Sequence, residues 1–279
     1  MRKVNLHTHT DFCDGKNTAE EMVLSAIDKN FSVLGFSSHS FTYFDGAGCI
    51  KDLDIPAYKA EIARLKEKYR GQIQILCGLE QDYYSTQPAT GYDYHIGSIH
   101  ACHVNGPYDS NESYALIDYS AGHLKAAAAR FYDGDVMCVA ERYFELIGDI
   151  VNRTECDIIG HFDIISKFHE KEPLFDLRHP RYVAACDKAL EKLLATDAIF
   201  EINTGAMSRG YRTSPYPAAD ILCKIKDGGG RIILSSDSHS VDTLDYGFDM
   251  ALKLARECGF KTVMTVDDRG QFDEEVIRL

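Results

Sequence analysis

Short apolar segments alternate with longer segments of helical periodicity along the whole chain of 279 residues. The apolar segments are rich in β-branched residues and do not alternate cleanly with polar ones, which is typical of parallel strands buried on both faces. Alternation of this kind predicts an α/β protein with a parallel sheet. The predicted strands cover residues 4–7, 33–37, 73–79, 94–99, 157–160, 199–203 and 232–235.

Local signals predict where several helices begin and end. Thr18 and Glu21 form a capping-box pattern, in which each side chain can bond to the backbone N–H of the other residue, so a first helix should begin there. A second helix should begin at about Pro56 and end at Gly71. Two further helices are expected over residues 214–228 and 248–258.

Polar residues stand at or just after the carboxyl end of every predicted strand. In a barrel these ends converge on one mouth, where such folds keep their sites, whereas an open sheet would spread them along an edge. We therefore favour a closed (β/α) barrel, with the whole chain, 1–279, as a single domain because no linker or repeat divides it. The residues at the strand ends are His7, Ser37, Ser38, His39, Glu80, His100, His161, Asn203, Asp237 and His239.

Composition restricts the partners that this chain can have. The formal net charge of −13 argues against a nucleic-acid backbone as a partner, since no basic stripe in the sequence offsets it. No apolar run approaches the ~18 residues that a membrane span needs, and the N terminus shows no signal peptide. The nine cysteines form no CxxC pair, and their odd number and dispersion favour reduced thiols in a cytoplasmic protein. We therefore expect neither a nucleic acid nor a membrane as a partner.

Histidines and carboxylates dominate the expected mouth of the barrel. His7 and His9 are two residues apart in extended backbone, so both imidazoles can reach one ion, although such a pair alone is a weak signal. Asp237 and His239 repeat this spacing after the last strand. Imidazoles and carboxylates together suit zinc, manganese or iron better than calcium or magnesium alone. The candidate ligands exceed what one ion needs, so at least two ions are expected to share Glu80 or Asp237.

Clustered divalent ions predict a phosphoester hydrolase, because they activate water and clamp the attacking and leaving oxygens of an in-line displacement. Phosphate also needs a fixed cation. Arg209, in a glycine-containing segment after the sixth strand, is the first candidate, since a guanidinium can hold two phosphate oxygens. Lys167 is a second candidate, and His103 is a possible substrate contact because it follows a predicted ligand closely. Further candidate cations are Arg178 and Arg212.

The strand-end residues form a series of motifs that run through the whole chain in order. These are His7-Thr-His9, Asp14, His39, Gly-Leu-Glu80, Gly-Ser-Ile-His100, Gly-His161-Phe-Asp163 and Ser-Asp237-Ser-His239. The set resembles the motifs of the PHP (polymerase and histidinol phosphatase) superfamily, and the length and spacing are most similar to its histidinol-phosphatase branch. The resemblance implies a distorted seven-stranded (β/α) barrel of the TIM-like kind. It also implies a metal-dependent phosphoric monoester hydrolase that acts on L-histidinol phosphate in histidine biosynthesis.

The same resemblance implies how the ligands divide among three ions, each zinc, manganese or iron. The first ion would take His7, His9, Glu80 and Asp237. The second would share Glu80 and add His100 and His161. The third would take Asp14, His39 and His239. Some members of the superfamily have a histidine where this chain has Asp14, and a carboxylate is still a competent ligand.

The source of the proton for the leaving alcohol stays open at this stage. Asp237, His239 and a metal-bound water molecule are the candidate proton donors. Arg209 is expected to stabilise charge on the phosphoryl oxygens. The alternatives to a histidinol phosphatase are a broader phosphatase or a phosphodiesterase on the same barrel, and a non-enzymatic module associated with a polymerase. Intact ligands at every motif count against the last of these. The sequence predicts no oligomeric state.

Overall fold

Strands and helices alternate along most of the chain in the computed structural model, which describes residues 1–277. Its strands are β1 (Val4–Asn5), β2 (Val33–His39), β3 (Gln74–Asp82), β4 (Tyr94–Ser98), β5 (Ala101–His103), β6 (Tyr114–Leu116), β7 (Ile158–Ile159), β8 (Ile199–Asn203), β9 (Arg231–Ser235), β10 (Thr262–Val266) and β11 (Phe272–Val276). Its α-helices are α1 (Ala19–Asp28), α2 (Ile55–Lys68), α3 (Ala121–Phe131), α4 (Val136–Ile147), α5 (Ile150–Thr154), α6 (Pro180–Leu194), α7 (Gly205–Ser208), α8 (Ala219–Asp227) and α9 (Phe248–Glu257).

Seven of these strands form one parallel sheet in the order β1-β2-β3-β4-β7-β8-β9. They correspond to the seven strands predicted from the sequence, so the predicted fold class is confirmed. The two edges of the sheet meet, because Thr8 forms a parallel bridge with Ser238 and the backbone N–H of His9 donates to Ser238 O at 2.8 Å. The barrel is thus closed through the same short segment that carries the first two predicted ligands.

Tyr94 occupies the interior of the barrel and accounts for two glycines in the neighbouring strands. Its hydroxyl donates to the carbonyl oxygens of Leu6 and Phe36. A Cβ atom at Gly35 or at Gly78 would collide with the Tyr94 side chain, so only glycine lets β2 and β3 pass it. Aliphatic side chains from the other strands complete this packed interior. A barrel that is filled in this way holds its strand ends in fixed positions.

Several helix predictions are confirmed and two details are wrong. The capping box at Thr18 is present, and α1, α2 and α9 lie where the sequence placed them. β3 and β4, however, are joined by residues 83–93 without the helix that regular alternation requires. The helix expected from residue 214 begins only at Ala219, because the backbone of Tyr216 pairs with Asn203 of β8.

The expectation that all nine cysteines are reduced is also wrong. Cys223 of α8 and Cys258, just after α9, form a disulfide with their Cα atoms 4.7 Å apart. The other cysteines of residues 1–277 are free. Sequence spacing does not reveal which thiols the fold brings together, since these two are 35 residues apart. None of the helices in the described part of the chain has both the length and the apolar character needed to cross a bilayer. The single-domain organisation and the cytoplasmic location stay predictions.

Removing this disulfide is expected to destabilise the oxidised protein. The Cys223→Ser variant should lose about 2–4 kcal/mol of unfolding free energy, because the bond closes a long loop and restricts the unfolded chain. Urea denaturation with and without dithiothreitol measures this difference. The reductant should bring the wild type to the stability of the variant and leave the variant unchanged. Equal stability of the wild type in both conditions would contradict the prediction.

Candidate metal centre

All the predicted metal ligands meet at the mouth of the barrel. They fall into overlapping groups of three or four, and within each group the potential ligand atoms lie within 4.8 Å of one another. The carboxyl ends of the barrel strands and the segments that follow them supply these side chains, as the barrel hypothesis requires. The members of the groups are His7, His9, Asp14, His39, Glu80, His100, His161, Asp237 and His239.

Glu80, near the end of β3, lies between two groups of imidazoles. Its Oε2 atom is 3.2 Å from His7 Nε2 and 3.5 Å from His9 Nε2. Its Oε1 atom is 3.4 Å from His100 Nε2 and 3.0 Å from His161 Nε2. One carboxylate thus directs one oxygen toward each group, which is the arrangement of a bridging ligand.

Asp237 completes the first of these groups. Its Oδ1 atom lies 3.3 Å from His9 Nε2 and 3.7 Å from His7 Nε2. Its backbone has a φ of 48°, a left-handed conformation that non-glycine residues rarely adopt. Arg209 donates to the Asp237 carbonyl oxygen at 3.1 Å and to Oδ2 at 2.8 Å. The guanidinium thereby holds a strained residue in the orientation that the cluster needs.

A third group surrounds Asp14 and is more accessible to solvent. Asp14 Oδ2 is 3.2 Å from His239 Nε2, and Asp14 Oδ1 is 3.7 Å from His39 Nε2. The Asp14 side chain is 41% exposed, whereas Glu80 is fully buried. Burial favours the neutral acid, but the charge of His39 and the hydrogen bond with His239 hold the pKa of Asp14 well below its usual range.

The chemistry of the buried atoms fits a divalent metal ion. Within residues 1–277, His7 Nε2 and His9 Nε2 are buried and have no hydrogen-bond partner. Buried polar atoms without a partner are rare in folded proteins, and a bound ion is one of the few explanations for them. Imidazole nitrogens and carboxylate oxygens at facing positions are the donor set of zinc, manganese and iron. The residues present therefore fit the metals predicted from the sequence.

The electrostatics of the cluster keep its central carboxylates ionised. Burial opposes ionisation of Glu80, but the charges of His39, His7 and His100 lower its pKa well below the usual range. Burial likewise opposes ionisation of Asp237, and the charge of Arg209 is the largest of the influences that lower its pKa. Both carboxylates are thus available as anionic ligands at neutral pH.

The imidazoles divide into two kinds. Burial favours the neutral ring, but the surrounding carboxylates outweigh it and raise the pKa values of His7, His39 and His100. His9 is the opposite case, because burial and the neighbouring charges of His239 and His39 lower its pKa to about 3. His9 is therefore a neutral ligand throughout the useful pH range, whereas His7, His39 and His100 must release a proton to bind metal.

Metal affinity should consequently fall as the pH is lowered. A raised imidazole pKa in the metal-free protein means that protons occupy the ligand positions up to a higher pH, so they compete with the ion. The apparent dissociation constant should rise by roughly tenfold per pH unit for each proton released. Titration with manganese against a calibrated chelating indicator between pH 8 and 6 tests this. A dissociation constant that stayed constant over this range would contradict the pKa shifts.

A cavity of about 300 Å³ opens onto the cluster, and the two leading candidate cations line it. Arg209 reaches it beside Asp237, as described above. Lys167 is 9% exposed, and its Nζ atom donates to the Asp118 carbonyl oxygen at 2.7 Å and lies 3.6 Å from the Asp118 carboxylate. Both cations are thus held in position by hydrogen bonds before any anion enters the cavity.

Three other residues considered from the sequence are not brought to this cavity, as far as residues 1–277 define it. Arg212 is buried and pairs with Asp163 at 3.5 Å, so its charge is already compensated. Arg178 is exposed to solvent. His103 lies in the β5–β6 hairpin, where its ring stacks on Tyr108 with the centroids 4.1 Å apart. Closeness to a ligand in sequence was misleading for His103, because the hairpin leads the chain away from the mouth.

Two carboxylates that sequence analysis missed contact the ligating rings. Glu201 in β8 is buried, and its Oε1 atom lies 2.6 Å from His7 Nδ1. Asp82 at the end of β3 lies 3.3 Å from His100 Nδ1 and accepts the His100 backbone N–H at 3.2 Å. Each carboxylate engages the ring nitrogen that faces away from the cluster, which leaves Nε2 directed toward it. Each lies two residues from a predicted site residue in its own strand, Glu80 in β3 or Asn203 in β8. Because alternate residues of a strand face the same side, this spacing could have identified both carboxylates from the sequence.

A parallel barrel with clustered imidazoles and carboxylates at its mouth defines a metal-binding barrel protein of the TIM-like kind. Comparison with protein families agrees with this description: the model of the PHP domain family matches residues 5–205. The matched segment runs from the last residue of β1 through β8 and contains every clustered ligand except Asp237 and His239. The chain belongs to the PHP domain family.

Similar proteins cover nearly the full length of the chain. A "probable histidinol-phosphatase" of Schizosaccharomyces pombe is 26% identical over 95% of this chain and 89% of its own. The histidinol-phosphatase of Bacillus subtilis is 26% identical over 91% of this chain and 99% of its own. The crystal structure of histidinol phosphate phosphatase from Lactococcus lactis, complexed with zinc, L-histidinol and phosphate, matches with a TM-score of 0.73. That match covers 98% of this chain and 99% of the other at 21% identity, which shows a shared fold.

Proposed function

We propose that this chain is a metal-dependent phosphomonoesterase that hydrolyses L-histidinol phosphate to L-histidinol and phosphate. The observation that carries the proposal is the position of Glu80, whose two oxygens face separate groups of imidazoles beside a cavity that Arg209 and Lys167 line. This arrangement supports a multinuclear hydrolytic centre for an anionic substrate. The relatives named histidinol-phosphatase, which align over at least 91% of the chain, support the choice of substrate.

The proposed centre holds three divalent ions, each zinc, manganese or iron. The first would be bound by His7, His9, Glu80 and Asp237. The second would be bound by Glu80, His100 and His161. The third, in the more exposed group, would be bound by Asp14, His39 and His239. Zinc in the complex of the Lactococcus lactis enzyme supports this metal as the first to test.

Each part of the site has a role in the proposed reaction. The bound ions would supply an activated water and neutralise charge on the phosphoryl oxygens. Arg209 and Lys167 would hold those oxygens and stabilise the charge that they carry in the transition state. Asp237 and His239 both line the cavity, so they are candidates to relay a proton from a water molecule to the leaving alcohol. Both side chains contact Arg209, so this relay would lie beside the guanidinium proposed to hold the phosphoryl group.

The remaining lining of the cavity suits a small alcohol with a positive charge. The carboxylates of Asp45 and Asp118 line it together with the rings of Phe44 and Tyr119. The carboxylates would attract the ammonium group of an amino alcohol, and the rings would pack against its imidazole. A nucleoside monophosphate or a diester would instead bring a bulky group that lacks the positive charge these carboxylates attract. The lining thus favours histidinol phosphate over the substrates of a broader phosphatase or a phosphodiesterase.

A substrate panel on metal-loaded protein tests the proposal. The kcat/KM for L-histidinol phosphate should exceed those for AMP, p-nitrophenyl phosphate and bis-p-nitrophenyl phosphate by about 10²-fold or more, because only the first substrate fills the whole site. The Glu80→Gln variant, purified in the same way, is the control for contaminating phosphatases. Equal turnover of the aryl phosphate would favour a broader phosphatase. No turnover of any substrate by zinc- or manganese-loaded protein would favour the non-enzymatic module.

A further inference from the structure

Glu201 is a fully buried carboxylate that contacts two predicted ligands at once. Its Oε1 atom lies 2.6 Å from His7 Nδ1 and accepts a hydrogen bond from the Ser235 hydroxyl. Its Oε2 atom accepts the backbone N–H of His161 at 2.7 Å and the side-chain N–H of Asn203 at 2.8 Å. Both oxygens are therefore engaged, by Asn203 in the same strand and by groups in or just after β1, β7 and β9.

The charge of Glu201 determines which nitrogen of His7 carries the proton. The His161 N–H, the Asn203 amide and the Ser235 hydroxyl all donate to the two oxygens of Glu201, which stabilises the carboxylate as an anion with no proton to donate. His7 Nδ1 must therefore be the donor in their hydrogen bond, and in the neutral ring Nε2 is left with a lone pair. That Nε2 atom is the one that faces Glu80, at 3.2 Å.

The second oxygen of Glu201 stabilises an unusual backbone at His161. This residue has a φ of 22°, in a region that side-chain-bearing residues rarely occupy. Such a conformation persists only where surrounding contacts hold it. The hydrogen bond from the His161 N–H to Glu201 Oε2 is one of these contacts, and the conformation places His161 Nε2 3.0 Å from Glu80 Oε1.

We propose that Glu201 is a positioning residue that presents His7 to the first ion and His161 to the second. Glu80 would be shared by the two ions, and Glu201 contacts two of the residues that would bind them. The occupancies of the two sites are thereby coupled through a side chain that touches neither ion nor substrate. This inference rests on the proposed function only in taking the cluster to bind divalent ions.

The Glu201→Gln variant tests this role with little change of volume. An amide has one acceptor oxygen, so its NH₂ group must face either His7 Nδ1 or the His161 N–H. In the first case the proton of His7 moves to the metal-binding nitrogen, and in the second the strained backbone loses its acceptor. Affinity for the first two ions should fall together by about 10–100-fold. Affinity at the group of Asp14, His39 and His239 should be unchanged.

Zinc titrations and elemental analysis at fixed free zinc measure these affinities without reference to turnover. Asp157→Asn is the matched control, because its carboxylate accepts the backbone N–H of His95 at 2.8 Å and so also ties two barrel strands together. This control should bind zinc like the wild type. Saturating zinc should restore most of the kcat of Glu201→Gln, which a merely structural defect would not allow. Wild-type zinc affinity in Glu201→Gln would overturn the inference alone, whereas a wild type that binds no zinc would overturn the proposed function as well.

A measurement on the wild type keeps the inference testable if the variant fails to fold. In zinc-loaded protein with ¹⁵N-labelled histidine rings, long-range ¹H–¹⁵N correlation spectra report which ring nitrogen is protonated. His7 should be protonated at Nδ1, with that proton in a strong hydrogen bond, and coordinated through Nε2. Coordination of His7 through Nδ1 would overturn the inference.

Discussion

Replacing Glu80 with glutamine is expected to lower kcat for L-histidinol phosphate by about 10³-fold or more, the largest single effect in the protein. The change removes an anionic ligand from two proposed ions at once, because each oxygen faces a different group of imidazoles. It also removes the charge that raises the pKa values of His39 and His100, so it alters the protonation of the ligands. Steady-state kinetics and elemental analysis of the same preparation measure the two consequences together.

The Glu67→Gln variant is a matched control for the loss of one carboxylate. Glu67 is exposed on α2 and pairs with the nearby Arg70. Activity and metal content should not change in this variant. A Glu80→Gln protein that kept both its metal and a tenth of the wild-type kcat would contradict the bridging assignment.

The Arg209→Lys variant is expected to lose about 10²-fold in kcat/KM, although the positive charge is retained. A lysine cannot hold two phosphoryl oxygens with a planar pair of donors. It also cannot replace both hydrogen bonds by which Arg209 holds the strained Asp237. The same variant should bind inorganic phosphate more weakly, which product inhibition measures independently of the chemical step.

Arg178→Lys is the control for this exchange, since Arg178 is exposed and lies outside the lining of the cavity in the described residues. Its kinetics should match those of the wild type. Unchanged phosphate inhibition in Arg209→Lys would show that Arg209 serves only to hold Asp237. A comparable loss in Arg178→Lys would show that net charge, rather than a defined contact, controls binding.

The barrel strands were predictable because their signal is local. Strands buried on both faces need continuous apolar segments, and those segments are visible in the chain. The direct β3–β4 connection and the late start of α8 were not visible. The first was obscured by the expectation of regular strand–helix alternation. The second depends on the pairing of Tyr216 with Asn203 of β8.

The sequence by itself determined the type of barrel and the set of clustered ligands, because strand ends in a parallel barrel converge wherever the chain runs between them. Only the tertiary structure decided which oxygen of Glu80 faces which imidazole, that Arg209 holds Asp237, and that His103 is carried away on a hairpin. It also revealed Glu201 as the partner of His7 and His161. These are relations between residues far apart in the chain. Short-range patterns identify a side chain and the face on which it lies, but distances and hydrogen bonds across the barrel depend on how all seven strands pack.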